Sequence, residues 1–440
     1  MITEKELAFV RQTLETARRL GAQKARATLS MSEEDLVATL DGEVDRVTHC
    51  ADRSLALALF VDGRFGSYST NKLEPEALEA FIAKAVEATR VLAEDPCRDL
   101  PDPARCCKDA LTGDELGLTD PARERISPAD RQRMALEASV FSADKRIISE
   151  EGEYSDSVYE TVVMDTNGLC CRHREMSFDY GVEITIESGG EKYSGYWWDA
   201  SSHLAELDAP ACGRRALERA VGQIGSAPVK SGRYTAVIDA EMASKVVSPL
   251  LRALSAYSIQ QNSSFLMDSV GKQVLPEGLT LLDVPRIPGQ TCSKYFDSEG
   301  VATVEAPIVR EGVVMEYFIN TYMANKMQLA PTVEDATRPK VLPWPRAGLD
   351  RDAILRECGS GILVTDFNGG NSNPVTGDFS YGIEGYLFKD GRIVRPVSGM
   401  LMTGNFLTLW SRLLFAGDDA RPCQTKLIPT LAFAEVDFSG

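Results

Sequence analysis

Between residues 3 and 20 the apolar positions Leu7, Val10, Leu14 and Ala17 recur at three- and four-residue intervals with polar residues between them. That spacing predicts an amphipathic helix. From Lys24 to Thr70 the period shortens, and the segments 27–29, 36–40 and 55–61 read as strands separated by Asp41-Gly42 and Asp62-Gly63. Asp-Gly between apolar runs is a hairpin signal. Helical spacing returns at 74–94, and the Pro-, Asp- and Cys-rich tract Pro96 to Pro121 reads as a long surface connection. Ser127-Pro128 then starts a helix, the serine as N-cap and the proline in the first turn.

A second β-rich block spans about 146–199, with turns at Asn167-Gly168 and Gly189-Gly190 and clear alternation from Ser177 to Ile186. A helix over about 202–222 follows it. The small, polar, proline-bearing segment Ile224 to Gly232 marks a boundary, giving an N-terminal domain, 1–226, and a C-terminal domain, 227–440. The latter opens with a strand at Tyr234–Ile238 and a helix over about 241–256, and later strands are predicted at 279–283, 313–319, 361–366, 383–389 and 391–395. Hairpins mixed with isolated long helices predict an α+β fold of two domains, each with a largely antiparallel or mixed sheet packed with helices.

Composition narrows the function. With 440 residues and a hydrophobic content of 44%, the chain is long enough for two cores. A formal charge of −18 and no Lys/Arg-rich segment argue against nucleic acid as a partner. The start, Met1-Ile2-Thr3-Glu4-Lys5-Glu6, has no basic region ahead of an apolar one, and no window resembles a membrane span, so the expected location is cytoplasmic. Ten cysteines without a C-x-x-C, including the adjacent pairs Cys106-Cys107 and Cys170-Cys171, read as reduced thiols. The three histidines, His49, His173 and His203, have no partner at metal-binding spacing, and neither G-x-S-x-G nor a P-loop is present.

The most distinctive run is 368–382, which reads as a long polar loop leading into the apolar Tyr386-Leu387-Phe388. Glycines and asparagines crowd its start, Asn368-Gly369-Gly370-Asn371, and allow positive φ and close approach to another chain. Thr376 and Ser380 add hydroxyls, so binding is the expected role.

Four segments in order, Ser263 to Pro276, Phe296 to Val301, Thr376 to Ser380 and Thr403-Gly404-Asn405, resemble the TldD/PmbA family, most closely its PmbA (TldE) branch. The resemblance implies a cytoplasmic zinc metallopeptidase complex that degrades or matures peptides held as an extended strand. A TldD-type subunit there carries an H-E-x-x-x-H helix, and the PmbA-type subunit lacks it. Placed without gaps, that helix falls on 241–256, with Val246, Val247 and Leu251 at the metal-site positions, and no His or Cys occurs between Asp239 and Thr291. The expectation is therefore a non-catalytic subunit with no metal or cofactor of its own, zinc being held by a TldD-type partner in a heterodimer. Asn368, Gly369, Gly370, Thr376, Gly377, Asp378 and Ser380 are the expected peptide or partner contacts. A homodimeric peptide-binding or modulatory protein without a protease partner is the alternative. In the resemblance, Cys423 lies in a region comparable to that of the catalytic branch's C-terminal cysteine ligand, but a single thiolate does not hold zinc.

Overall fold

The first apolar stripe becomes α1 (Glu4–Arg19), with Leu7, Val10, Leu14 and Ala17 buried, in a computed structural model that describes residues 1–440. A capping box closes its start: the Thr3 hydroxyl accepts from the Glu6 N–H, and the Glu6 carboxylate accepts from the Thr3 N–H. β1 (Lys24–Leu40), β2 (Glu43–Val61) and β3 (Arg64–Thr70) form an antiparallel meander. Its turns, Asp41-Gly42 (φ 52° and 81°) and Asp62-Gly63 (φ 51° and 72°), have the left-handed pairs that two-residue hairpins require.

Next come α2 (Pro75–Arg90), α3 (Pro128–Glu137), β4 (Ile147–Asp165), β5 (Cys170–Ser188), β6 (Glu191–Ser201) and α4 (Ala209–Gly222). The sheet runs β3-β2-β1-β4-β5-β6, antiparallel throughout. The expected segments 27–29 and 36–40 are one strand, β1, because β2 and β4 pair with it on both sides through its polar middle. Along β1, β4 and β5 the inward residues share one parity, so a single face carries two cores. Ala27, Leu29, Val162 and Met176 pack with α1 and α2; Val37, Tyr154, Tyr180 and Ile184 pack with α3 and α4.

The tract 96–121 is not a mere surface connection. β6 pairs with β5 only from Phe178 onward, and the remaining β5 amides of Arg172, Arg174 and Met176 donate to the carbonyls of Ala110, Gly113 and Leu118. Unpaired backbone donors need partners, and the tract supplies them while burying Leu100, Cys107, Leu116 and Leu118.

The second half contains β7 (Gly232–Ile238), α5 (Ser244–Ala253), α6 (Ala256–Gln260), β8 (Leu281–Asp283), β9 (Ala306–Arg310), β10 (Val313–Val314) and α7 (Thr321–Met327). It continues with β11 (Pro339–Val341), α8 (Arg351–Cys358), β12 (Gly361–Ser372), β13 (Asp378–Lys389), β14 (Arg392–Asn405), α9 (Phe406–Trp410), β15 (Leu413–Ala416) and β16 (Leu431–Ser439). The order β14-β13-β12-β7-β16-β15, with a further β14–β16 pairing, closes five strands into a barrel in which only β7 and β12 are parallel. A small sheet, β10-β9-β8-β11, packs beside it.

Two expectations change here. The helix predicted over 241–256 is two helices, because Ser255 leaves the helix and its side chain caps α6 by accepting from the Tyr257 N–H. The strand predicted at 313–319 shrinks to β10, since the Phe318 N–H donates to Leu254 beyond α5 instead of to a neighbouring strand. The barrel core itself is apolar and aromatic: Ile362, Val364, Phe379, Ile383, Met400, Phe433 and Trp410. Each such side chain contributes about 1.5–3 kcal/mol on burial.

Candidate functional site

Helix α5 has two chemically distinct faces. Val246, Val247, Leu250 and Leu251 are buried in the barrel core, and the Trp410 indole N–H donates to the Val246 carbonyl at 3.3 Å. Lys245, Ser248 and Arg252, spaced at three- and four-residue intervals, face the other way, with Glu241 in the turn just ahead of the helix. That face is one wall of a cavity of about 560 Å³.

The opposite wall is the run that reads as a loop. It is a β-hairpin: β12 extends to Ser372, β13 begins at Asp378, and only 373–377 form the turn. The register slips between Phe367 and Gly370, where Gly369 (φ 110°) and Gly370 (φ 96°) form a bulge. A Cβ on Gly370 would lie 2.0 Å from the Ser380 carbonyl oxygen, so glycine is required there. The glycines serve a bulged strand, not a loose connection.

The tip is tied down by short-range polar bonds. Asn373 Oδ1 accepts from the Val375 N–H at 2.9 Å, and the Thr376 hydroxyl donates to Asp378 at 2.7 Å. Asn405 Nδ2 donates to the Thr376 carbonyl at 2.7 Å and to Asp378 at 2.9 Å. The Asn405 and Thr376 donors hold the Asp378 carboxyl below its ordinary value. Beneath the hairpin runs an aromatic row, Phe265–Phe406–Phe379–Tyr381–Phe367, with ring centroids 5.8, 4.8, 5.3 and 5.4 Å apart. Phe265, Phe406, Tyr381 and Phe367 floor the cavity.

β12 pairs with β7 only at Ile362, Leu363 and Val364. Beyond Val364 its outer edge has no strand beside it among the described residues, and Phe367, Gly370, Asn371 and Ser372 of that stretch line the cavity with Asn373 of the turn. An unpaired edge of this kind can accept an added strand.

Of the expected contacts, Gly370 lines the cavity. Thr376, Gly377 and Asp378 shape the turn, Ser380 pairs with Asn371 across the hairpin, and Asn368 donates to Glu384 at 3.1 Å on the far side of the bulge. Val246, Val247 and Leu251 lie in the core, away from the cavity. Lys245, Ser248, Arg252 and the aromatic floor were not anticipated. The polar stripe of α5 was visible in its helical spacing, but nothing local in the chain says what faces it.

A second cavity, about 630 Å³, lies where α4 and β6 meet the barrel, and Glu241 and Met242 belong to both. Here Glu241 accepts from Arg219 and Arg421, and the guanidinium carbons of Arg215, Arg219 and Arg421 lie 4.6, 4.7 and 4.4 Å from the Trp197 ring centre. Burial pushes the Glu241 carboxyl above its usual range, against the pull of Arg219 and Arg421. Cys423 is buried nearby, and burial pushes its thiol up to about 11, so it is not a ready nucleophile at neutral pH.

A five-stranded barrel with an amphipathic helix across a strand-edged cleft, joined to a long-stranded antiparallel sheet, is the architecture of a family of bacterial and archaeal metallopeptidases. This chain belongs to the PmbA/TldA metallopeptidase family: the models of its domain 1, central domain and C-terminal domain match residues 27–89, 123–224 and 231–440. Metalloprotease PmbA of Escherichia coli O157:H7 is 28% identical, over 98% of this chain and 97% of that one. A crystal structure from Bacteroides thetaiotaomicron, provisionally named a modulator of DNA gyrase, superposes with a TM-score of 0.95 at 36% identity over 100% of both chains. TldE from Thermococcus kodakarensis shares the fold, with a TM-score of 0.83 at 19% identity over 98% of this chain and 100% of that one. No helix among the described residues is long and apolar enough to cross a membrane.

The family name implies a metal, and the cleft does not fit one. Its charged side chains are Glu241, already held by two arginines, and the cations Lys245 and Arg252; its remaining donors are hydroxyls and amides. Zinc sites use three or four His, Cys or carboxylate ligands, and among the described residues no three such side chains converge at that spacing.

Proposed function

We propose that this chain is a non-catalytic subunit of a cytoplasmic TldD/PmbA metallopeptidase complex, holding extended peptide for a zinc-bearing TldD-type partner that degrades or matures it. The observation that carries the reading is the unpaired edge of β12 facing α5 across a cavity whose side chains cannot ligate zinc. Backbone hydrogen bonding along such an edge supplies affinity that tolerates many sequences, and the aromatic floor takes apolar side chains on alternate positions. Catalytic chemistry then belongs to the partner, and this chain contributes the peptide wall and a subunit surface.

The test is a pull-down from native lysate with metal analysis and peptidase assays of the retained material. The expected result is a zinc-containing H-E-x-x-x-H protein, with peptidase activity in the pair and none in this chain alone. Stoichiometric zinc together with peptidase activity in this chain alone would overturn the reading. Retention of a second copy of this chain only, with peptide bound, would transfer it to a homodimeric peptide-binding protein.

A further inference from the structure

In a chain of charge −18, where carboxylates outnumber Lys and Arg by 65 to 47, the cleft is lined by two cations that no carboxylate holds. They are Lys245 and Arg252: among the described residues neither forms an ion pair or a side-chain hydrogen bond, and both project into the cleft. Lys245 Nζ rests 5.0 Å from the centre of the Tyr381 ring, which holds it toward the β13 side. The two residues are seven apart, so they stand about 10.5 Å apart along the axis, with Ser248 between them on the same face. Glu241, the one carboxylate of the cavity, is neutralised from behind by Arg219 and Arg421, and α6, β12, β13 and α9 bring no charged side chain to the lining. The field in the cleft is therefore positive within an otherwise acidic protein.

We infer that Lys245 and Arg252 are the anchor for a carboxylate of the peptide in this cleft, either its C-terminal carboxylate or the side chain of an acidic residue. The inference rests on the peptide-holding reading above and adds a substrate class to it. A strand laid along β12 binds through its backbone without regard to sequence; a charge beside the edge gives it a preferred end and register. The hydroxyl of Ser248 completes a set of donors with no acceptor charge among them.

The experiment is fluorescence anisotropy with the full-length protein and an N-terminally labelled octapeptide of alternating threonine and valine, in three forms: free acid, C-terminal amide, and amide with a central glutamate. The free acid should bind about tenfold more tightly than the amide, the worth of one charge-assisted hydrogen bond. Recovery of that affinity in the glutamate form identifies a side-chain carboxylate as sufficient; no recovery identifies the terminus. In a Lys245→Met, Arg252→Gln double variant, which keeps both stems, the three forms should bind alike, and Lys245→Arg alone should retain the discrimination. Equal binding of acid and both amides by the unaltered protein overturns the inference and leaves the peptide-holding reading standing. Failure of all three to bind overturns that reading, and the anchor with it.

Discussion

The two cavities meet at Glu241 and are of similar size, about 560 and 630 Å³, yet their charges are used in opposite ways. In the larger one, three of the four arginines have a carboxylate: Arg219 and Arg421 bind Glu241 and stack on Trp197, Arg351 binds Asp239 at 3.1 Å, and Arg215 rests on the Trp197 ring alone. In the smaller one, Lys245 and Arg252 have no counter-ion among the described residues. A charge whose partner lies within the fold is scaffolding, and one without a partner is available to something that arrives. The difference separates a joint between the N-terminal sheet and the barrel from a site.

The largest test of that contrast is Glu241→Ala. It strands Arg219 without its carboxylate, leaves Arg421 only the carboxylate of Asp199 at 3.3 Å, and should cost about 3 kcal/mol, the low end for a buried pair because Arg219 remains part exposed. Denaturant midpoints measure it, and a change under about 1 kcal/mol would mean that the joint does not depend on the pair. Gly370→Ala should cost about 2 kcal/mol, because it forces a Cβ against the Ser380 carbonyl at φ 96°. It should also abolish peptide binding by displacing the β12 edge, a result that Glu241→Ala would not give if the two cavities act separately.

Lys245→Met and Arg252→Gln should each change stability by under about 1 kcal/mol, since among the described residues neither side chain has an ion pair to lose and Lys245 gives up only its contact with the Tyr381 ring. A larger loss would show them to be structural and erase the contrast. The smallest effect concerns the hairpin tip and pH. The Asp378 carboxyl is held below its ordinary value of 3.8, so its support is present above that pH and is lost as pH falls through the lower folded value. Hydrogen exchange at the amides of Val375 and Gly377 should rise below pH 3.8 while the barrel amides stay protected, and Asp378→Asn should remove that dependence.

Much of the fold was legible because it is encoded locally. The stripe of α1, the Asp-Gly turns and the Ser127-Pro128 start are each decided within a few residues. The strand β1 reads as two because its middle is polar, and its pairing with β2 on one side and with β4, more than a hundred residues later, on the other makes it continuous. The hairpin arms looked like loop for a related reason. A bulge at Gly369-Gly370 resets the two-residue period, and the edge they expose is defined by where β7 stops pairing. The family was legible from short ordered motifs, whereas the cleft was not, since its walls come from α5 and from β12 more than a hundred residues apart.

The barrel's closure also sets a timetable. β7 is held between β12 and β16, and the Gly440 N–H reaches back to the Ser231 hydroxyl across 209 residues of chain. On a ribosome adding about 5–20 residues per second, β7 waits roughly 10–40 s for its last neighbour. Until then α5 has no closed barrel to rest on, and Val246, Val247 and Leu251 are open to water. Newly made chains thus pass through a sticky interval in which the N-terminal sheet can already be folded, and the cost of haste in overexpression should fall on the C-terminal half.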